Sequence, residues 1–203
     1  MKKQTLLLTF VVIIFTTFAA CSKKEYMNVL YFTDNLNSQT EGYDVKMSDY
    51  YVKDNIYTLP VKSENETVIM RLVTDENGDI GEIRVTLAKT DEKGKRQQIS
   101  QQHRQLYNDT VRRMLRAFTY CDEETAGMIS ESMKLSESAP FTSTGEITSR
   151  MDNYYFIVFS TDFSVSFTVK NIHISPVEKT EKPESRPAFG NTTNIRTETV
   201  PLR

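Results

Sequence analysis

The chain of 203 residues carries 25 basic and 27 acidic side chains, so its net charge is only −2. This balance argues against a strongly basic nucleic-acid binder and against an acidic solvating protein. With 38% hydrophobic residues the chain can build one packed domain, whereas two histidines are too few for a histidine-rich metal or catalytic centre. We therefore predict no nucleic-acid partner, no cofactor and no metal.

The first twenty residues have the pattern of an export signal. Lys2 and Lys3 precede an apolar run over residues 6–18, and Ala19 and Ala20 supply small residues after it. The run is shorter than the roughly 20 apolar residues that a membrane-spanning helix needs. A positive start, a short apolar run and small residues before a cleavage point are typical of a secretory signal peptide.

The tetrapeptide FAAC at residues 18–21 resembles the lipobox of bacterial lipoproteins. The resemblance covers residues 1–21 and implies cleavage between Ala20 and Cys21, with a diacylglyceryl group on the Cys21 sulfur. Two acyl chains hold a protein at a membrane without any transmembrane helix. Ser22 stands where aspartate marks inner-membrane retention in the family, which implies outer-membrane delivery if the host has an outer membrane. The alternative is an ordinary secretory signal that ends near a cysteine.

The chain divides into four parts in this interpretation. Residues 1–20 are the signal peptide, and 21–27 form the lipidated N-terminus and a spacer. A globular domain is predicted over 28–175, followed by a disordered tail over 176–203 that is rich in proline and charged residues. Cys121 is then the only thiol outside the anchor, so no intramolecular disulfide is expected.

The first half of the domain is predicted to contain one helix and four strands. Apolar residues at near-helical spacing predict a short helix at 27–37. Alternating residues from Val45 to Val52 indicate a strand, with a partner at 56–61. The clearest hairpin joins strands at 67–74 and 80–88 through Asn77-Gly78, a strong two-residue turn sequence.

The second half contains two helices and then three strands. A helical period covers 99–120, and Asp122 is placed to cap a second helix that ends before the serine-rich stretch 136–143. Strands are predicted at 145–151, 154–160 and 165–174. This order predicts an α+β fold, an antiparallel β-sheet with two central helices packed on one face.

Candidate contact residues lie on the long helix and on one strand. Arg112 and Arg116 are four residues apart, so they share a helix face that can meet an acidic partner. Tyr154 belongs to a tyrosine-rich strand, and tyrosine is common at binding surfaces. We assign these three residues as candidate partner contacts and predict no catalytic residue. A plain solvated face is the alternative for the arginines.

These observations favour a non-enzymatic, lipid-anchored exported protein that binds a protein partner of the cell envelope. One alternative is an envelope enzyme or small-ligand binder with a pocket near Cys121 and His103. Such a nucleophile pair requires Cys121 to lie within hydrogen-bond reach of His103 or His173. A second alternative is an exclusion or inhibitor lipoprotein.

Overall fold

The computed structural model describes residues 26–39, 44–63, 66–91 and 93–176. The lipobox and residues 177–203 of the predicted tail lie outside this part of the chain. The described helices are α1 (Val29–Ser38), α2 (Gln101–Thr119), α3 (Glu123–Ser132) and α4 (Ala139–Thr142), and a 3-10 turn covers Met47–Asp49. The described strands are β1 (Tyr51–Lys53), β2 (Ile56–Ser63), β3 (Glu66–Thr74), β4 (Ile80–Ala88), β5 (Gly145–Met151), β6 (Tyr154–Ser160) and β7 (Ser164–Asn171).

The seven strands form one sheet in the order β1-β2-β3-β4-β7-β6-β5, and every neighbouring pair is antiparallel. α2 packs on β3 and β4, while α1 and α3 pack against α2. The inner face of the sheet is apolar, since Met70, Val85 and Phe167 are fully buried beneath the helices. The α+β fold predicted from the sequence is therefore confirmed.

Local signals explain why the two long helical segments begin where they do. The Ser100 side chain accepts a hydrogen bond from the backbone N–H of His103 (2.9 Å) and caps α2. The Asp122 side chain accepts one from Thr125 N–H (2.8 Å) and caps α3, as predicted. Each cap satisfies a backbone donor that the first helical turn leaves without a partner.

The two ends of the sheet, taken along the direction of the strands, lie next to different parts of the chain. The described chain enters beside the β3–β4 turn, where Ile80 N–H donates to the carbonyl of Met27 (2.8 Å), and we call this the entry end. α2 begins at the opposite end, where the Ser100 hydroxyl donates to Glu66 Oε1 (2.6 Å) in the first residue of β3. A nine-residue strand such as β4 spans about 26 Å, which separates the entry end from this far end.

Two segment predictions were wrong, and one short helix was not predicted, although the helix capped by Asp122 ends before residue 136 as expected. No strand starts at Val45, because the Asn37 side chain bonds both the N–H (2.9 Å) and the carbonyl (2.8 Å) that a strand would use. β7 ends at Asn171 rather than at residue 174, since the Asn171 side chain accepts from His173 N–H (3.0 Å) and turns the chain. The stretch 136–143 contains the short helix α4, in whose first turn Pro140 is tolerated.

Candidate functional site

A groove beside α2 carries an excess of basic side chains. Its larger cleft has a volume of about 400 Å³ and its smaller cleft about 240 Å³. Arg104 and Phe141 line both clefts, which therefore adjoin, and we call the two together the α2 groove. The larger cleft is lined by Gln101, Arg104, Gln105, Asn108, Asp109, Arg112, Leu135, Ser136 and Phe141. The smaller cleft is lined by Lys89, Arg96, Gln97, Gln98, Ile99, Arg104, Phe141 and Thr142.

The helical period places a row of polar side chains in the groove. Arg104, Asn108 and Arg112 follow one another at intervals of four residues and so lie on one face of α2. All three side chains are half-buried, whereas the stripe around Tyr107 and Val111 is fully buried against the sheet. The groove is thus built on a rigid helix rather than on a loop.

Two arginines of the groove have no counter-ion among the described residues. Among the described residues, no carboxylate lies within 4.0 Å of the guanidinium of Arg104 or Arg112. Their Nε atoms are buried and have no hydrogen-bond partner there either. Arg116, one helical turn further along, differs because its Nη1 pairs with Glu123 Oε2 at 2.7 Å. An anionic ligand can supply the acceptors that Arg104 and Arg112 lack.

Asn108 adds an unpaired acceptor to the same cleft. Its Nδ2 donates to the carbonyl of Leu135 (3.1 Å), and this bond fixes which way the amide points. The Oδ1 atom is consequently buried without a donor among the described residues. A ligand that fits the groove must therefore both accept hydrogen bonds from arginine and donate one to an amide oxygen.

Phe141 forms the apolar wall between the two clefts. The carbon of the Arg104 guanidinium lies 6.0 Å from the Phe141 ring centroid, within reach of a cation–π interaction. The ring of Tyr107 meets Phe141 edge-on, with centroids 5.8 Å apart. Tyr107 is fully buried, and this burial raises the pKa of its hydroxyl above the ordinary range. The Arg104 guanidinium thus packs on the Phe141 ring on one side and faces the open groove on the other.

Lys89 closes the smaller cleft from inside the fold. It is only 1% exposed, and its Nζ donates to Ser160 Oγ (2.7 Å) and to the carbonyls of Thr161 (2.8 Å) and Ser143 (3.1 Å). Burial lowers the pKa of Lys89, and the positive charge of Arg96 lowers it further. Lys89 therefore ties β4, α4 and the β6–β7 turn together at the far end.

The charge of the groove is strongly one-sided. Four basic side chains line it, and Asp109 is the single acid among its described lining residues. A concave surface lined by one sign of charge raises the local concentration of the opposite sign. The four basic residues are Lys89, Arg96, Arg104 and Arg112.

The structure does not bring His103 and Cys121 together. They lie at opposite ends of α2, about 27 Å apart at a rise of 1.5 Å per residue. Both ring nitrogens of His103 are engaged, Nδ1 with Glu66 Oε2 (3.0 Å) and Nε2 with the Thr67 carbonyl (2.9 Å). Cys121 is half-buried and packs against the core.

The other predicted site residues lie outside the groove. The Tyr154 hydroxyl donates to the carbonyl of Phe118 (3.3 Å), and the two rings are 5.4 Å apart. Tyr154 therefore packs beneath the helices, near the entry end. His173 is exposed, and its Nε2 lies 3.0 Å from Asn153 Oδ1. Of the three candidate contacts, only Arg112 lines the groove.

Several groove residues were not assigned from the sequence. The four-residue spacing of Arg104, Asn108 and Arg112 is visible in the sequence and would have extended the predicted face toward the start of the helix. Phe141 and Lys89 carry no such signal, because their place in the groove depends on contacts distant in sequence.

Comparison of the chain with protein-family models, with curated proteins and with solved structures finds no match. Within the described ranges, no helix has the length and apolar character needed to cross a membrane. In the same ranges, no three or more His, Cys, Asp or Glu side chains are grouped so that they could hold a metal ion.

Proposed function

We propose that this chain is an exported bacterial lipoprotein, anchored through acyl chains on Cys21, that binds an acidic segment of an envelope protein in the α2 groove. The lipobox-like FAAC sequence supports the anchor. Among the described residues, Arg104 and Arg112 pair with no carboxylate and their buried Nε atoms have no hydrogen-bond partner, and this is the observation that carries the binding function.

A peptide with acidic side chains matches the chemistry of the groove. Its carboxylates accept from Arg104 and Arg112 in charge-assisted hydrogen bonds, which are stronger than neutral ones. Its backbone N–H groups supply the donor that Asn108 Oδ1 lacks. The larger cleft of about 400 Å³ falls within the size range of sites that enclose a small ligand or a few peptide residues.

A photo-cross-linking experiment on intact cells tests this function. A photoreactive amino acid replaces Gln105, which is exposed at the rim of the groove. We expect a reproducible adduct with one envelope protein, and we expect Arg112→Glu in the same chain to abolish it. An adduct that survives Arg112→Glu unchanged, or no adduct at all, contradicts the proposal.

Arg150→Glu is the matched control. It makes the same change in net charge on β5, where Arg150 is exposed and its guanidinium lies 5.3 Å from the Tyr155 ring centroid. Arg150 lines neither cleft of the groove. The adduct formed through Gln105 should therefore persist in Arg150→Glu. Equal losses in both variants would indicate a general effect of charge rather than recognition in the groove.

A further inference from the structure

Three large side chains, those of two tyrosines and a leucine, are exposed where the described chain begins. Tyr26 is 50% exposed, Leu30 56% and Tyr31 62%. Tyr26 precedes α1, and Leu30 and Tyr31 lie in its first turn. The opposite face of α1 is buried, since Phe32 and Leu36 pack into the core. We call Tyr26, Leu30 and Tyr31 the α1 patch.

The position of the α1 patch next to Cys21 limits what it can face. Five residue steps separate Cys21 from Tyr26, and a fully extended chain of that length spans at most about 18 Å. A protein held by acyl chains on Cys21 therefore keeps Tyr26 close to the bilayer surface. Leu30 and Tyr31 follow within one further helical turn.

We propose that the α1 patch inserts into the interfacial layer of the bilayer that holds the lipid anchor, an inference that rests on the proposed anchor at Cys21. Tyrosine suits this layer because its ring is apolar and its hydroxyl is polar. An apolar helix face that lies in a membrane interface sinks about 5–10 Å into the boundary between headgroups and acyl chains. The patch is a second point of attachment, which orients the domain as well as holding it.

The charges around the patch indicate which lipids it meets. Asp34 is exposed on the same side of α1, and Asp75, Glu76 and Asp79 form the β3–β4 turn beside the entry point. These carboxylates repel anionic headgroups, whereas Lys23 and Lys24 between the anchor and the patch attract them. Since the two effects oppose each other, we expect the contact to depend mainly on apolar insertion. A zwitterionic bilayer is therefore sufficient.

This orientation points the smaller cleft of the α2 groove away from the membrane. The patch lies at the entry end, and the smaller cleft lies at the far end of the sheet, about 26 Å away along β4. The larger cleft runs back along α2 as far as Arg112, about 17 Å from the start of the helix. The far-end opening of the groove is thereby presented to a protein partner rather than to the anchoring bilayer.

Tryptophan fluorescence tests the inference directly, because the chain contains no tryptophan. The full-length lipidated protein carrying Tyr31→Trp is reconstituted into phosphatidylcholine vesicles whose acyl chains are brominated near the headgroup. We expect blue-shifted emission and a clear loss of intensity relative to vesicles without bromine. Leu30→Trp is a second reporter on the same patch and should behave alike. Phe163→Trp is the control, because Phe163 is 67% exposed in the β6–β7 turn at the far end and should show neither effect.

The outcomes separate the two proposals. Vesicle flotation of the protein together with bromolipid quenching of Tyr31→Trp and Leu30→Trp, but not of Phe163→Trp, supports the inference. Flotation without quenching at the patch leaves the anchor in place and overturns the inference. Lack of flotation overturns the proposed anchor and the inference with it. Quenching that requires added phosphatidylglycerol contradicts the assignment to apolar insertion.

Discussion

The guanidinium of Arg104 lies over the ring of Phe141, its carbon 6.0 Å from the ring centroid. This contact joins α2 to α4 across the α2 groove and leaves the Arg104 Nε without a hydrogen-bond partner among the described residues. An aromatic face attracts a cation but does not neutralise it. Arg104 thus keeps its capacity to bind an anion while its position is restrained.

Arg112 should contribute little to folding, because its guanidinium pairs with no carboxylate of the described chain. We expect Arg112→Glu to change the free energy of unfolding by no more than about 0.5 kcal/mol, since the attraction it creates with Arg116 four residues later is offset by a repulsion with Asp109 three residues earlier. Urea unfolding followed by circular dichroism measures this. A destabilisation well above that value would mean that Arg112 is kept for the fold rather than for a ligand.

The buried Lys89 should make stability depend on alkaline pH. Burial, and then the charge of Arg96, hold the pKa of Lys89 below its ordinary value of 10.5. Between the folded pKa and 10.5 the unfolded chain binds a proton that the folded chain does not, so the Lys89 contribution to stability rises with pH in that window. We expect the free energy of unfolding of the wild type, relative to Lys89→Met, to increase as pH rises from neutrality toward 10.5. A difference that stays constant or falls would contradict the depressed pKa.

Much of the fold is readable from local sequence, and the exceptions have identifiable causes. Alternation in β4 predicts that Ile83, Val85 and Leu87 face the core, and all three are fully buried, because a strand's period depends only on neighbouring residues. Asp122 capped α3 as predicted for the same reason. The other face of β4 is not fully exposed as the alternation predicts, since Glu82 is also buried. The strand predicted from Val45 failed because Asn37, eight residues earlier, occupies its backbone groups.

The site was less predictable than the fold. The helix face that carries Arg112 follows from spacing alone. The walls opposite that face come from the segment after α3, where Leu135 fixes the Asn108 amide and Phe141 meets Tyr107. The helix capped by Asp122 ends before the stretch 136–143 as predicted, but the short helix α4 inside that stretch was not predicted. Proline is compatible with the first turn of a helix as well as with the end of one, so no local pattern indicated α4.

Ser100 should be worth more to stability than an ordinary helix cap. Its hydroxyl oxygen accepts from His103 N–H (2.9 Å), and its O–H donates to Glu66 Oε1 (2.6 Å), which links α2 to β3. Loss of a cap alone costs about 1 kcal/mol, and we expect Ser100→Ala to exceed that. Asp122→Ala removes the cap of α3 without any such link and should cost less in the same unfolding experiment. A smaller loss of stability in Ser100→Ala than in Asp122→Ala would show that the bond to Glu66 contributes nothing.

Gly81 provides a test of the packing of the segment that follows β7, and Gly127 provides the comparison. A Cβ at Gly81 would meet Ile174 Cγ2 and Pro176 Cδ at 3.0 Å, so in Gly81→Ala these two side chains must shift by a few tenths of an ångström. We expect a loss of about 1 kcal/mol, the lower end of the usual cost of overpacking. Gly127→Ala, inside α3 with no atom within 4 Å of the new Cβ, should instead stabilise the protein by about 0.5–1 kcal/mol. Thermal unfolding of both variants checks this, and a Gly81→Ala variant as stable as the wild type would mean that Ile174 and Pro176 are free to move away from the new methyl group.

The attachment to the membrane is the claim on which the orientation of the α2 groove depends. Mass spectrometry of the N-terminal peptide tests it most directly. The peptide is released by proteolysis from protein that detergent has extracted from cell membranes. We predict that the mature chain begins at Cys21 and that this peptide carries a diacylglyceryl group on sulfur, with or without an acyl chain on its amine. A mature chain that starts at another residue, or an N-terminal peptide with a free Cys21 thiol, would contradict the account.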